Sequence, residues 1–261
     1  MVTDRPLQGS VAVPAGSLER LAYGAPRLFF PLAGKLAGWC MLIAVALCGV
    51  GLYIGFFVAP AERGQGEVFR IVFLHVPAAW MSLFIYVVMS FWAAMSLLPQ
   101  ARMPALMVRA LAPTGAMFAF LALGTGALWG KPAWGTWWTW DPRLTAEFSL
   151  LCFFLVCIAV QTAMGDTRRA DRLSTLVALA GLFNIPVIYA SLRWWLIVHQ
   201  GPSFAELGVR GSIGWVPVGI LLMTLGFWAY SIAAAMVRVR CLILLQERHA
   251  AWAIDYAKEA Q

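Results

Sequence analysis

The chain alternates between long apolar runs and short polar connections. Six runs reach the length of about 20 residues that a helix, rising about 1.5 Å per residue, needs to cross the hydrocarbon core of a bilayer. The runs lack the sustained alternation of polar and apolar positions that marks a transmembrane strand. The pattern therefore predicts an all-α integral membrane protein with six transmembrane helices, at Leu36–Val58, Ile71–Leu98, Ala110–Trp129, Leu144–Met164, Leu173–Trp195 and Ser212–Val237.

Composition favours a membrane protein over a soluble domain. Of the 261 residues, 62% are hydrophobic and 12% are charged, whereas an ordinary soluble domain carries about 25% charged residues. The formal net charge of +7 would suit a nucleic-acid binder in a soluble protein. Here, however, the basic residues stand in the short connections between apolar runs, where they set topology. We therefore expect the lipid bilayer, and no nucleic acid, as a partner.

The distribution of lysine and arginine predicts the orientation. Thirteen of the 19 basic residues fall on the side of the two termini and the second and fourth loops, and six fall on the other side. The positive-inside rule then places both termini in the cytoplasm and the loop after the third helix outside, which in a bacterium is the periplasm. The first apolar run is too long for a signal peptide and is interpreted as an uncleaved helix. We divide the chain into a cytoplasmic arm (residues 1–35), a six-helix membrane domain (36–237) and a cytoplasmic tail (238–261).

Tryptophan is concentrated between the third and fourth predicted helices. Five of the 13 tryptophans lie in one stretch, namely Trp129, Trp134, Trp137, Trp138 and Trp140. An interfacial aromatic belt needs one or two rings per helix end and explains this density poorly. If residues 134–141 are helical, their spacing places three of the rings and Asp141 on one face, although nearby glycines and prolines limit such a helix to a couple of turns. Large rings held outside the lipid indicate a binding site for a flat, apolar ligand.

The same stretch carries a specific motif. From Trp134 to Thr145 it reads W-G-T-W-W-T-W-D-P-R-L-T, preceded by W-G at Trp129. It resembles the signature of the tryptophan-rich, or WWD-domain, haem-handling membrane proteins. The resemblance implies that residues 129–145, hereafter the tryptophan segment, form a haem-handling loop between the third and fourth helices.

Two of the three histidines are expected at the outward face, level with the tryptophan segment. His75 stands about one turn into the second helix and His199 follows the fifth, whereas His249 lies in the tail and is interpreted as a surface residue. Neutral imidazole is a natural axial ligand of haem iron. Given the resemblance, His75 and His199 are predicted to be the two axial ligands of a haem that lies against the five tryptophans.

Haem also carries two propionates, which favour arginine as a partner. Arg70 and Arg143 are the first candidates on the outward side, and Lys131 and Arg193 are alternatives. Each of these cations could equally be a positioning residue that extends to the membrane interface. Asp141 could cap a helix, orient Arg143 or accept a hydrogen bond from an indole, and the sequence leaves the three roles open.

Within the superfamily, the chain is similar to the haem exporter protein C family of cytochrome c maturation, over about Leu36–Val237. The similarity includes F-R-I-V-F-L-H-V-P-A-A-W at Phe69–Trp80, and the larger synthetases are expected to have more spans and four outward histidines. The family implies that haem b is held at the periplasmic face of the bacterial inner membrane and delivered to a periplasmic haem chaperone, cytochrome c maturation protein E. It also implies two ABC transporter subunits (cytochrome c maturation proteins A and B) and a small single-span subunit (protein D) as partners.

The sequence offers no candidate nucleophile, no paired carboxylates and no nucleotide-binding loop, so we predict a haem-binding and transfer protein rather than an enzyme. A lyase-like part in attaching haem to the chaperone stays open. A first alternative, a transporter permease subunit without a haem site, would have no use for the tryptophan segment. A second, a cytochrome b-type electron-transfer subunit, usually holds haem between histidines within the spans, often in two layers, whereas this sequence offers one outward layer.

Overall fold

The computed structural model describes residues 26–61, 64–98, 102–194 and 214–259, and regular structure in these ranges is helical. Helix α1 covers Pro26–Tyr53 and continues as a π-helical turn, Ile54–Val58. Helix α2, Val72–Met95, follows a 3-10 turn at Glu67–Ile71. The other helices are α3 (Arg102–Trp134), α4 (Pro142–Ala163), α5 (Thr167–Gly181), α6 (Asn184–Trp194), α7 (Trp215–Gln246) and α8 (Ala251–Glu259).

Six helical stretches of the described chain are long and apolar enough to span a membrane, which confirms the predicted all-α integral membrane fold. They match the six predicted runs in order, but several are longer. Helix α3 begins at Arg102 rather than Ala110, and α7 continues past Val237 to Gln246. Hydropathy alone underestimates these helices because charged residues near their ends lower the average while the backbone hydrogen bonding continues.

The fifth span is a broken helix. It was expected at Leu173–Trp195, whereas α5 begins at Thr167, where the Asp166 carboxylate accepts a hydrogen bond from the backbone N–H of Arg168 at 3.0 Å. Between α5 and α6 the α-helical hydrogen bonds give way to tighter i→i−3 bonds, from the backbone N–H groups of Leu182 and Phe183 to the carbonyls of Leu179 and Ala180. At the start of α6, the Asn184 side-chain amide donates to the Ala146 carbonyl at 2.7 Å. This bond ties α6 to α4 and fixes one wall of the cavity described below.

Buried apolar residues join four chain segments at one end of the bundle. The end of α1, the start of α2, the end of α3 and the start of α7 meet in a cluster of Ala59, Phe69, Val72, Phe73, Trp129, Val216 and Ile220. Close approach depends on Gly55, because a methyl group there would lie 2.7 Å from Cγ of Phe73. The cluster therefore brings the beginning of α2, which carries His75, next to the end of α3, which carries Trp129.

Many large apolar side chains point away from the bundle. Trp39 is 68% exposed and Phe57 is 79% exposed. In a soluble protein such rings would signal a binding surface, but helices that cross a bilayer present apolar side chains to lipid. The exposed rings of α1 thus agree with its assignment as a membrane span.

Basic side chains tie the helices together at the opposite end. Arg109 Nε on α3 pairs with Asp171 Oδ1 on α5 at 2.8 Å. Arg240 on α7 lies over the Phe30 ring of α1, 4.3 Å from its centroid, and donates to the Tyr256 hydroxyl of α8 at 2.9 Å. These contacts pack the C-terminal helix against the start of α1.

Candidate functional site

A cavity of about 380 Å³ lies between α2, α3, α4 and α6. Its size falls in the range of about 300–1,000 Å³ that is usual for small-molecule sites. His75, Arg143 and Glu147 are the ionisable residues among the described residues that line it. The rest of the wall is apolar and comes from Ala79, Trp80, Leu83, Phe84, Val87, Ala122, Leu123, Leu144, Ile185 and Ile188. A largely apolar cavity with a few convergent polar groups suits a flat amphipathic ligand.

The His75 ring is buried and its orientation is set by α3. Its Nδ1 lies 3.0 Å from the Ala122 carbonyl oxygen and 3.1 Å from Thr125 Oγ1. Because a carbonyl can only accept, Nδ1 carries the proton and donates to Ala122, which places the lone pair of the neutral ring on Nε2. A hydrogen bond of this kind to the second ring nitrogen is the usual way in which proteins orient a metal-ligating histidine.

Trp129 connects His75 to the tryptophan segment. The indole packs edge to face against the imidazole, with centroids 5.7 Å apart and an interplanar angle of 80°. Trp129 also contacts Trp134, whose ring centroid is 6.0 Å away. The indole N–H donates to Gln65 Oε1 at 2.6 Å, and the residue is only 4% exposed. Trp129 is thus a buried support behind His75, not a ring displayed at the surface.

The tryptophan segment is not helical beyond Trp134, so the condition under which residues 134–141 would share one helix face is not met. Helix α3 ends at Trp134 because Gly135 takes a left-handed conformation with φ of 81°, which glycine adopts readily. The Lys131 ammonium donates to the Gly135 carbonyl at 3.1 Å and completes this helix end. Thr136 Oγ1 then donates to the Trp138 carbonyl at 2.9 Å and starts the irregular segment that leads to α4.

The remaining rings differ in exposure. Trp137 is 56% exposed and Trp140 is 78% exposed. Trp138 lies between them in the chain and packs edge to face on Trp140, at 5.4 Å between centroids, and on Phe148, at 6.1 Å. Its Nε1 atom is buried without a hydrogen-bond partner in the described structure. Buried indole N–H groups normally have an acceptor, so this donor fits a site that a polar ligand group completes.

Asp141 is the N-cap of α4. Its Oδ1 accepts from the backbone N–H groups of Arg143 at 2.9 Å and Leu144 at 3.0 Å, while Thr139 Oγ1 donates to its Oδ2 at 2.8 Å. Pro142 occupies the first helical position, where its missing N–H carries no penalty. Of the three roles left open by the sequence, capping is the one that these contacts support.

The two arginines proposed for propionates have different surroundings. Arg70 donates through Nη1 to the carbonyls of Gly55 and Ala59 and pairs through Nε with Glu67. These bonds engage Arg70 at the end of the first span, and it is not among the residues that line the cavity. Arg143, in contrast, lines the same cavity as His75. The geometry therefore favours Arg143 as the cation of the site.

Glu147 is a residue of the site that sequence reasoning missed. It stands one turn after Arg143 on α4, is buried, and accepts a hydrogen bond from Ser82 Oγ of α2 at 2.7 Å. In the sequence it seemed only to weaken the fourth apolar run. An ionisable residue within a span is itself a signal of function and could have identified it. The other predicted ligand, His199, lies outside the described residues, as does the side chain of Arg193.

The fold and this site define a polytopic membrane protein with a histidine-bearing, aromatic-walled cavity near one end of its bundle. Comparison with known sequences agrees. The model of the Heme exporter protein C family matches residues 20–254 of the chain. The chain belongs to that family.

Relatives extend across bacteria and to a plant. Heme exporter protein C of Escherichia coli is 40% identical over 240 residues, which cover 90% of this chain and 94% of the relative. Heme exporter protein C of Haemophilus influenzae is 35% identical, with 88% and 94% covered. A putative cytochrome c biosynthesis ccmC-like mitochondrial protein of Marchantia polymorpha is 35% identical over 76% of this chain and 83% of its own length. The family match, over residues 20–254, includes all six helices that are long and apolar enough to span a membrane.

Proposed function

We propose that this protein binds haem b at the outward end of its membrane bundle and delivers it to a periplasmic haem chaperone for cytochrome c biogenesis. The observation that carries the proposal is the placement of His75. Its ring lies in the wall of an apolar cavity, against Trp129, with the Nδ1 proton held by the Ala122 carbonyl. A neutral imidazole with its lone pair on Nε2 is the form that binds haem iron. The names of the relatives, heme exporter proteins, point to the same ligand.

Each part of the site has a role in this proposal. His75 supplies one axial ligand, and His199, from beyond α6, supplies the other. Arg143 pairs with a propionate, since a guanidinium in an apolar cavity favours a carboxylate. Trp138 contributes an indole N–H that has no acceptor among the described residues.

Release of haem to a partner is supported by the exposed rings. Trp137 and Trp140 present most of their surface outside the bundle, next to the half-buried Trp138. An exposed aromatic patch at the edge of a ligand site is a natural docking point for a second protein. The periplasmic chaperone, cytochrome c maturation protein E, is the partner we propose there. We also propose the ABC transporter subunits, cytochrome c maturation proteins A and B, and the single-span protein D as companions in the membrane.

The proposed location is the bacterial inner membrane, with both termini in the cytoplasm. Its support is the excess of basic residues on the side of the termini, which the positive-inside rule places in the cytoplasm. The tryptophan segment and His75 then face the periplasm. In this arrangement the protein is a haem-handling component without an enzymatic reaction of its own.

The test is the haem content of the purified protein. We expect a Soret absorption band for the unchanged chain and its loss or strong weakening in His75→Ala and His199→Ala. His249→Ala is the matched control, because His249 is an exposed histidine near α8 that lies outside the site. Equal haem content in all four proteins contradicts the proposal. Unaltered cytochrome c production by Trp137→Ala and Trp138→Ala, together with loss of transport elsewhere, would instead favour a permease subunit without a haem site.

A further inference from the structure

Glu147 is a buried carboxylate for which haem binding has no use. It is 8% exposed and lines the cavity beside His75 and Arg143. Haem offers iron, which His75 can bind, and propionates, which Arg143 can bind, but no positive group for a carboxylate. Burying such a group in a membrane span is costly unless it is paired and hydrogen-bonded. Its presence in the wall therefore calls for a separate explanation.

The position of Glu147 is fixed by α2. Ser82 is fully buried, and its hydroxyl donates to Glu147 Oε1 at 2.7 Å and lies 2.8 Å from the Ala79 carbonyl of its own helix. Ser82 stands seven residues after His75, two turns along α2, so the two side chains lie on the same face of that helix. The carboxylate is thus held at a defined place and is not a mobile surface group.

Arg143 and Glu147 form a pair of opposite charges in one wall. They are four residues apart on α4, which puts their Cβ atoms about 6 Å from each other on one face of the helix. On their own, the carboxylate of Glu147 offsets the charge of the Arg143 guanidinium in the wall that both residues line. A ligand carboxylate that binds Arg143 brings a second negative charge close to Glu147. Two like charges at about 7 Å in a protein interior repel strongly enough to weaken binding at least tenfold.

We propose that Glu147 competes with the carboxylate of the bound ligand for Arg143, and so limits how tightly the cavity holds a dicarboxylic tetrapyrrole. This inference rests on the proposed haem function. A carrier that passes its cargo on benefits from such a group, because affinity differences of this kind act mainly on the dissociation rate. The alternative is that the Ser82–Glu147 hydrogen bond only holds α2 against α4.

Haem and haem dimethyl ester separate the two explanations, because the ester has the same ring and iron without the negative charges. The measurement is the rate at which each leaves the purified full-length protein for an excess of apomyoglobin, followed in the Soret band. Glu147→Gln removes the charge and keeps an oxygen that can accept from Ser82. We expect it to slow haem release at least tenfold and to leave ester release within twofold of the unchanged protein. Ser90→Ala is the control for helix packing, because it removes a buried hydrogen bond from α2 to the Ala178 carbonyl and leaves Glu147 untouched, and it should change the two rates by the same factor.

A second variant tests the competition between Glu147 and the ligand carboxylate by removing the cation for which they compete. In Arg143→Gln the repulsion from Glu147 remains without the attraction, so haem should leave faster than its ester. Haem release that is unchanged or faster in Glu147→Gln, or a shift shared equally by haem and ester, overturns the inference. So does an Arg143→Gln protein that releases haem no faster than the ester. Failure of the proposed function is a different result, since the unchanged protein would then bind no haem through His75.

Discussion

The imidazole of His75 and the indole of Trp129 meet edge to face, 5.7 Å apart between ring centroids, although 54 positions separate them in the sequence. The contact joins the start of α2 to the end of α3 and sets the candidate ligand beside the tryptophan segment. Two hydrogen bonds orient the rings: the imidazole donates to the Ala122 carbonyl, and the indole donates to the Gln65 side chain. The predictions below follow from this arrangement.

Trp129→Ala should remove haem and destabilise the bundle. Loss of a buried tryptophan typically costs about 3–5 kcal/mol, and His75 would lose the ring that packs against it. The measurements are the thermal unfolding midpoint in detergent and the Soret absorbance of the purified protein. Trp39→Ala is the control, because that ring is exposed on α1 and should leave both quantities near their original values. A Trp129→Ala protein that keeps full haem content contradicts the supporting role of Trp129.

Thr125→Val should weaken haem binding without unfolding the protein. The valine keeps the shape of threonine but removes the hydroxyl that lies 3.1 Å from His75 Nδ1. Loss of a partner of this type usually costs about 10–100-fold in affinity for the metal. Haem titration monitored in the Soret region measures the effect. Thr224→Val, whose hydroxyl bonds within α7 to the Ile220 carbonyl, is the control and should bind haem normally.

Gly126→Ala should displace His75. A methyl group at Gly126 would lie 3.0 Å from Cε1 of the imidazole, so the ring has to move away from α3. We expect a lower haem content and an altered spectrum, measured on the purified variant at constant protein concentration. Gly124→Ala is a matched control on the same helix, because a methyl group there meets nothing within 4 Å. Indistinguishable spectra for the two alanine variants would show that His75 does not bind the iron from this position.

Asp141→Ala should lower stability through loss of a helix cap, and Asp141→Asn should restore most of it. An N-cap aspartate replaced by alanine costs about 1 kcal/mol, whereas asparagine caps nearly as well. Thermal unfolding of the two variants measures the difference. If Asp141→Asn is as unstable as Asp141→Ala, the carboxylate charge matters for a reason other than the cap on α4.

Replacing Arg143 and Arg70 by glutamine, one at a time, identifies the cation that binds the propionates. Arg143→Gln should lose the preference for haem over haem dimethyl ester and reverse it, because Arg143 lines the cavity and Glu147 would still repel the propionates. Arg70→Gln should keep that preference, since Arg70 bonds the carbonyls of Gly55 and Ala59. Competition binding of the two ligands measures it. Loss of the preference in Arg70→Gln alone would assign the propionates to Arg70 instead.

The sequence by itself determined the membrane class, the six spans and the motif of residues 129–145. These are local properties, because an apolar run must be long enough to cross a bilayer wherever its neighbours lie, and a run of rare residues is specific without any partner. Whether residues 134–141 form a helix could not be decided from the sequence alone. They do not, because Gly135 takes a left-handed conformation and Asp141 caps the next helix.

Only the tertiary structure decided which residues share the cavity. Arg70 and Arg143 are equivalent candidates in the sequence, yet Arg70 bonds the end of the first span and Arg143 lines the cavity together with His75. In the sequence, Glu147 only interrupts an apolar run. In the structure it accepts a hydrogen bond from Ser82 and lines the cavity. The physical reason is that the rotation of each helix about its axis, and the distance at which it packs, depend on contacts between residues far apart in the chain.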